Sequence, residues 1–376
     1  MENQNLILES NVPNDKIDIY GNIDISTKKL PGSNEREFRI LLEGNNIDHS
    51  VVNAIRRTIL MSIPIYGFHR SNIHIEVEKS NHMYNNDMIY NQIEMLPIFD
   101  IPNYFDLENP ELYLSNDVLK SLFSNFVLEK TEFYHDSNFN TNSSIVNSEE
   151  KSSNITDSKK KLFKIELTLS VKNNTNKDKF VSTHDAILKI DGKISNSYLD
   201  HEPISIIVLK PGEEISLRAE ANLGISKMSA IYDATTNAIH KEISPTKYEL
   251  VYETLGQLDK NVIFSKACII LIKKLDNLAN YIKNKYEELK NDEIVEIQLF
   301  GEDHTIGNLL ATALQKCSYI RKAGYCMPHP FIEKIIISYQ LNDQADKGPI
   351  KVLIDVIEYL IRIFQVIGNN TFKKTN

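Results

Sequence analysis

The sequence predicts an α+β protein made of two related units in one chain, the first of them interrupted by a mostly β insert. Three observations carry that reading: a self-match between two segments 255 residues apart, a stretch of alternating strands between them, and two long amphipathic runs.

The self-match sets Asp48-His49-Ser50-Val51-Val52-Asn53-Ala54-Ile55 against Asp303-His304-Thr305-Ile306-Gly307-Asn308-Leu309-Leu310. An alternating strand precedes each copy, through Phe38, Ile40 and Leu42 in the first and Val295, Ile297 and Leu299 in the second. Each copy opens an amphipathic helix, with Val52, Ile55 and Ile59 on one apolar face and Ile306, Leu309, Ala313 and Leu314 on the other. A further strand is expected after each helix, at Ile73, Ile75 and Val77 and at Ile335, Ile337 and Tyr339.

Between the copies, Phe163, Ile165, Leu167, Leu169 and Val171 alternate with polar residues. Ile206–Leu209, the turn Pro211-Gly212 and a second alternation at Ile215, Leu217 and Ala219 follow. Residues 135–161 are rich in Asn, Ser and Lys, too poor in apolar groups to offset the entropy of ordering, and are expected to be a disordered loop. Residues 1–15 are expected to be loose.

Each unit ends in a long helix. One run starts at Asn261 with Leu271 and Leu275 in its apolar stripe, and a polar tract continues it to Asp292. The other starts at Gly348-Pro349, with proline in the first turn, and its stripe includes Leu353 and Ile357. The resulting division is a first unit over 16–98 and 241–292, an insert over 99–240, and a second unit over 293–376. Two such units would pack their long helices across a pseudo-symmetric interface.

Composition bounds the function. With 42 basic against 51 acidic residues the net charge is −9, the opposite of the field a protein gripping phosphate backbones needs. Three dispersed cysteines, Cys268, Cys317 and Cys326, exclude a disulfide scaffold and a cysteine-rich zinc site. No basic-then-apolar leader opens the chain and no apolar run approaches the ~20 residues that span a bilayer, so it is expected to be intracellular, soluble and free of membrane contact.

Asp-His-Ser and Asp-His-Thr resemble a catalytic set, but consecutive residues at a helix start project in different directions and cannot relay protons. Asp48, Ser50, Asp303 and Thr305 are read instead as caps that accept the orphan amides of a helix start, worth about 1 kcal/mol. Pro328-His329-Pro330 reads as a rigid extended turn with no second metal ligand nearby, and no phosphate-binding GxxxxGK[ST] is present. Neither a cofactor nor a metal is expected.

These residues resemble the α-subunit family of multisubunit DNA-directed RNA polymerases. The first unit is similar to the third-largest eukaryotic subunit, its archaeal D-type equivalent and the bacterial α N-terminal domain, through Asn53-Ala54-Ile55-Arg56-Arg57 and the helix running on to Pro64. A second match runs from Asp87 to Ile98 and ends in Met95-Leu96-Pro97, with Asn91-Gln92 and Glu94 where cellular members carry His-Arg and Gly. The second unit is similar to the eleventh-largest subunit and its archaeal L-type equivalent, through Glu302–Leu310 and Ala323–Pro330. Gly224-Ile225-Ser226-Lys227 through Tyr232 resembles a family segment in the insert. A single chain with both units resembles the fused form of large nucleocytoplasmic DNA viruses.

The resemblance implies an α-subunit-like pair of dimerisation domains acting as a non-catalytic assembly platform. Its implied partners are the largest and second-largest polymerase subunits and a small zinc-bearing assembly subunit, with DNA met only through the complex. Asn53, Arg56, Arg57, Pro97 and Lys227 would form the subunit interface, and Asn308, Leu309, Leu271, Leu275, Leu353 and Ile357 the dimerisation surfaces. Arg56 and Arg57 align with Ala311 and Thr312 of the second helix, a basic pair against small neutral residues that would tell unlike partners apart. A viral member is expected in the host cytoplasm, at the viral factory, and in the virion. The alternative is a stand-alone interaction protein that uses the same fold outside the polymerase.

Overall fold

A computed structural model describes residues 19, 21–78, 85–99, 101, 114–123, 163–285, 294–329, 331–332, 334–343 and 345–372. The expectations for 1–15 and 135–161, and for the polar end of the first long helix, fall outside these residues.

The first unit opens with β1 (Ser26–Leu30), β2 (Glu37–Glu43) and α1 (His49–Met61). The insert follows: β3 (Ile65–Glu78), α2 (Asn86–Glu94), α3 (Asn116–Leu122), β4 (Ile165–Lys172), β5 (Lys179–Ser182), β6 (Ala186–Ile190), β7 (Lys193–Ser195), β8 (Ser205–Leu209) and β9 (Glu214–Gly224). The chain then returns to the first unit through β10 (Thr235–Ser244), β11 (Lys247–Thr254) and α4 (Lys260–Lys285). The second unit is β12 (Val295–Phe300), α5 (His304–Lys316), β13 (Ile320–Cys326), β14 (Lys334–Leu341) and α6 (Pro349–Phe372).

Pairing makes the repeat explicit. The first unit's sheet runs β1-β2-β11-β10 and the second's runs β12-β14-β13, all antiparallel. Phe38 of β2 faces Tyr252 of β11 as Val295 of β12 faces Tyr339 of β14. Both tyrosines are buried, and each donates its phenol to the first carbonyl of the following long helix: Tyr252 to Lys260, and Tyr339 to Pro349 at 2.9 Å. A buried hydroxyl must find a partner, and here the partner sets where each helix begins.

One expected strand belongs elsewhere. Ile73, Ile75 and Val77 lie in β3, which pairs with β9 in the insert's sheet β3-β9-β4-β6-β7, so β11 and not β3 is the counterpart of β14. The insert therefore begins directly after α1 and ends before β10, rather than covering 99–240. Period-2 alternation marks a half-buried strand without saying which sheet buries it. The other alternations stand: Ile165, Leu167, Leu169 and Val171 of β4, and Ile215, Leu217 and Ala219 of β9, are buried facing one another. The family-like segment Gly224–Tyr232 is a packing device, because a Cβ on Gly224 would come within 2.5 Å of the Tyr232 ring.

α4 and α6 pack against each other, and α1 contacts both α4 and α5. Leu271, Leu275, Leu353 and Ile357 are each at most 2% exposed in this interhelical core, and Leu309 is fully buried on α5. Counted from Lys260 and Pro349, Ile263, Phe264, Ala267, Leu271 and Leu275 fall on the same steps as Val352, Leu353, Val356, Leu360 and Phe364, all buried. One hydrophobic pattern, written twice, closes the two units on each other.

Candidate assembly interface

At the centre of the pair, each short helix is capped by its own aspartate, and that aspartate is gripped by the opposite half. Asp48 Oδ1 accepts from the amides of Ser50 at 2.7 Å and Val51 at 3.0 Å and from the Ser50 hydroxyl at 2.6 Å, while its Oδ2 accepts from Lys316 Nζ at 2.6 Å. Asp303 Oδ1 accepts from the Thr305 amide at 2.7 Å, and its Oδ2 from Arg57 Nη2 at 2.8 Å. Arg57 Nε also donates to Thr305 Oγ1 at 2.7 Å, so the guanidinium clamps both residues of the second helix start.

Burial pushes the Asp303 carboxyl up, but the Thr305 hydroxyl and amide and the Arg57 charge outweigh it and bring it to about 2. Asp48 is also lowered: burial opposes ionisation, and the Lys316 charge, with bonds from Lys316, Ser50 and Val51, overcomes it. Both carboxylates are thus ionised when they complete the contact.

This geometry changes the reading of the arginine pair. Arg57 does not face outward; it spans the junction between halves, 26% exposed against Asp303. Arg56 lies half-buried on the flank of α1, donating through Nε to Asn53 Oδ1 at 3.0 Å and through Nη1 to the Ala238 carbonyl of β10 at 3.5 Å. Its counterpart is Gln315, whose Nε2 donates to the Ala323 carbonyl of β13 at 2.9 Å. Arg56-Arg57 therefore corresponds in role to Gln315-Lys316, one helical turn beyond the aligned Ala311-Thr312. A residue-by-residue alignment cannot see a role that has moved by a turn, because long side chains reach the same point from either position. Burial, then the Arg57 charge, lowers the Arg56 pKa.

The remaining candidates are spread out. Asn53 and Asn308 occupy equivalent half-buried positions on α1 and α5. The Lys227 amide donates to the Met61 carbonyl at 3.0 Å, tying the insert to the end of α1. Pro97 lies after α2 in a cleft of about 950 Å³ that also holds Phe99 and His201, stacked at 4.0 Å. Further contacts between the halves went unforeseen, among them Lys274 Nζ, which lies 3.2 Å from both carboxylate oxygens of Glu302, and the Asn46 amide, which donates to the Tyr359 hydroxyl at 2.9 Å. A lysine inside an apolar helical stripe is the sequence signal that could have found the Lys274 contact.

No relay chemistry assembles at the helix starts. His49 lies edge-on to His240 with ring centres 5.0 Å apart, His304 lies edge-on to Tyr325 at 5.9 Å, and the Ser50 hydroxyl is spent on Asp48. Among the described residues no three His, Cys, Asp or Glu side chains gather as a metal-ligand set, and no helix is long and apolar enough to cross a membrane.

Two interlocked α+β units of this kind define a dimerisation module. Two family models, each described as the RNA polymerase Rpb3/Rpb11 dimerisation domain, match residues 294–370 and 42–275 respectively, and the chain belongs to that family as a fused Rpb3/Rpb11-like subunit. It is 52% identical over 361 residues to a DNA directed RNA polymerase subunit of Acanthamoeba polyphaga mimivirus, covering 96% of this chain and 97% of that one. It is also similar to the archaeal polymerase subunit Rpo11. The Saccharolobus shibatae protein is 49% identical over 43 residues, 11% of this chain and 47% of its own. The Sulfurisphaera tokodaii protein is 36% identical over 67 residues, 18% of this chain and 70% of its own. The protein is a non-catalytic subunit of a DNA-directed RNA polymerase, and its partners are other polymerase subunits.

Proposed function

We propose that the chain is the assembly platform on which the largest and second-largest catalytic subunits come together. A small zinc-bearing assembly subunit joins them, and DNA is met only through the finished complex. The observation that carries this reading is a pseudo-symmetric pair with unlike flanks. Beside α1, the half-buried Asn53 and Arg56 adjoin β10, where Ile239 and Ile243 are 62% and 51% exposed. Beside α5 the arginines' aligned positions are small, and Phe331 and Ile332, after β13, are 92% and 52% exposed. Exposed apolar side chains beside arginine are the composition of an interface core and its rim. Arg56 and Asn53, with Pro97 and Lys227 on the insert side, face the second-largest subunit; the α5 flank faces the largest. The relationship to a mimivirus subunit supports assembly in the host cytoplasm, at the viral factory, with packaging into the virion.

The test is affinity recovery from cells co-expressing the polymerase subunits, with the tag on this chain. Arg56→Glu is expected to cut recovery of the second-largest subunit about tenfold or more, in line with loss of an interfacial arginine, while the chain still folds. Undiminished recovery overturns the assignment.

A further inference from the structure

The two flanks of the junction are built from different chemistry, and the difference decides which halves can pair. The residue before each capping aspartate is buried, and Glu302 of the second half meets the long helix of the first. On one flank this residue is Glu302, 2% exposed, and the helix offers Lys274, 14% exposed, as its ion-pair partner. On the other flank the equivalent residue is Ile47 and the equivalent helix position is Ile363, each 1% exposed. One step earlier the division recurs with the flanks exchanged. Asn46, 7% exposed, bonds Tyr359, 5% exposed, on the Ile47 flank, and Gly301 and the fully buried Ile270 hold the equivalent positions on the Glu302 flank.

We infer that Lys274–Glu302 and Asn46–Tyr359 are a pairing code that makes each half accept the other half and reject a second copy of itself. The pseudo-two-fold allows the alternatives to be written out. Two first halves packed in the same geometry would set Lys274 against Ile47 twice, burying two ammonium groups with no carboxylate, and would leave Asn46 against Ile270. Two second halves would set Glu302 against Ile363 twice and strip Tyr359 of its amide partner. Removing one member of a buried ion pair leaves an uncompensated charge, which disfavours the state by roughly a hundredfold or more per site. Only the unlike pairing satisfies Lys274, Glu302, Asn46 and Tyr359 together.

The capping contacts do not share this property. Lys316 to Asp48 and Arg57 to Asp303 are both cation-to-cap pairs, and a like-with-like dimer could remake either of them. Discrimination therefore resides in the two positions before the cap. The inference concerns the junction within the chain and is independent of which polymerase subunits dock on its flanks.

The experiment uses full-length chains carrying charge swaps. Lys274→Glu sets two carboxylates together in cis, and Glu302→Lys sets two ammonium groups together. Each single swap is expected to lower the melting temperature and to lose the monomer peak in light scattering, with the folded-to-unfolded ratio down roughly a hundredfold or more. The double swap is expected to restore a monomer. Co-expression of the two single-swap chains with different tags is expected to give a stable one-to-one dimer. In that dimer the carboxylate introduced at position 274 of one chain meets the ammonium introduced at position 302 of the other, while the parental pair forms alongside. A purely local packing role would not produce that trans complex. Single swaps that stay as stable and monomeric as the parent would overturn the inference. So would a double swap as defective as its components, or co-expression without the one-to-one dimer.

Discussion

Asp303→Asn separates the charge of the second capping aspartate from its shape. Asparagine still accepts the Thr305 amide, so the cap survives, but the ion pair with Arg57 at 2.8 Å is lost. The carboxyl's ordinary value is 3.8 and the folded protein holds it at about 2. A depression of that size corresponds to about 2 kcal/mol of stability at neutral pH. Because the folded value lies below the unfolded one, the contribution is complete above pH ~4 and disappears as the pH falls toward ~2, with about half left near pH ~3. Urea unfolding followed by far-ultraviolet circular dichroism suits a chain with no tryptophan. The variant should be less stable than the parent by up to about 2 kcal/mol at neutral pH, and the two curves should converge on acidification. A neutral-pH difference below about 0.5 kcal/mol, or a difference that does not shrink in acid, would refute the assignment of the low value to the Thr305 bonds and the Arg57 charge.

Gly307→Ala should destabilise the second unit by about 1–3 kcal/mol, because its Cβ would lie 2.6 Å from the Tyr325 ring. Gly324→Ala is the control, since a Cβ there meets nothing within 4 Å, and thermal melts of the two compare them directly. A maleimide should label Cys326 alone among the three thiols of the native protein, because Cys268 and Cys317 are buried and burial pushes the Cys268 thiol up to about 12. Labelling of all three before unfolding, read by mass spectrometry, would contradict the packing of α4 and α5.

The repeat and both long helices were legible because they rest on local signals: a polar cap, a 3.6-residue stripe, a proline at the first turn. The start of α6 at Pro349 and the caps at Asp48 and Asp303 follow directly from those signals. What could not be read was anything decided by distant partners. Ile73, Ile75 and Val77 alternate equally well in either sheet, and only pairing with β9 assigns them to the insert. Arg57 looked like a surface residue because its partner lies on the other helix start, 246 positions away. Lys316 occupies the last turn of α5, where a basic residue is expected for local reasons, and that ordinary explanation hid its grip on Asp48. The structure separates the two arginines that the family likeness singled out: Arg57 joins the halves, and Arg56 stays on the flank of α1.

The position of the insert has a consequence for how the molecule is made. The second unit's strands β12 and β14 meet across a short stretch of chain, whereas β2 must wait for β11, so that Phe38 pairs with Tyr252 only after the whole insert has been translated. Closing so long a loop is slow compared with forming local contacts. On the ribosome, the apolar faces of β2 and α1 therefore remain uncovered while the insert emerges. The insert's five-stranded sheet can form before that wait ends, drawing the two ends of the interrupted unit together at Ile65 and Gly224, which are partners across β3 and β9. The guest domain then acts as a clasp that shortens the search for its host.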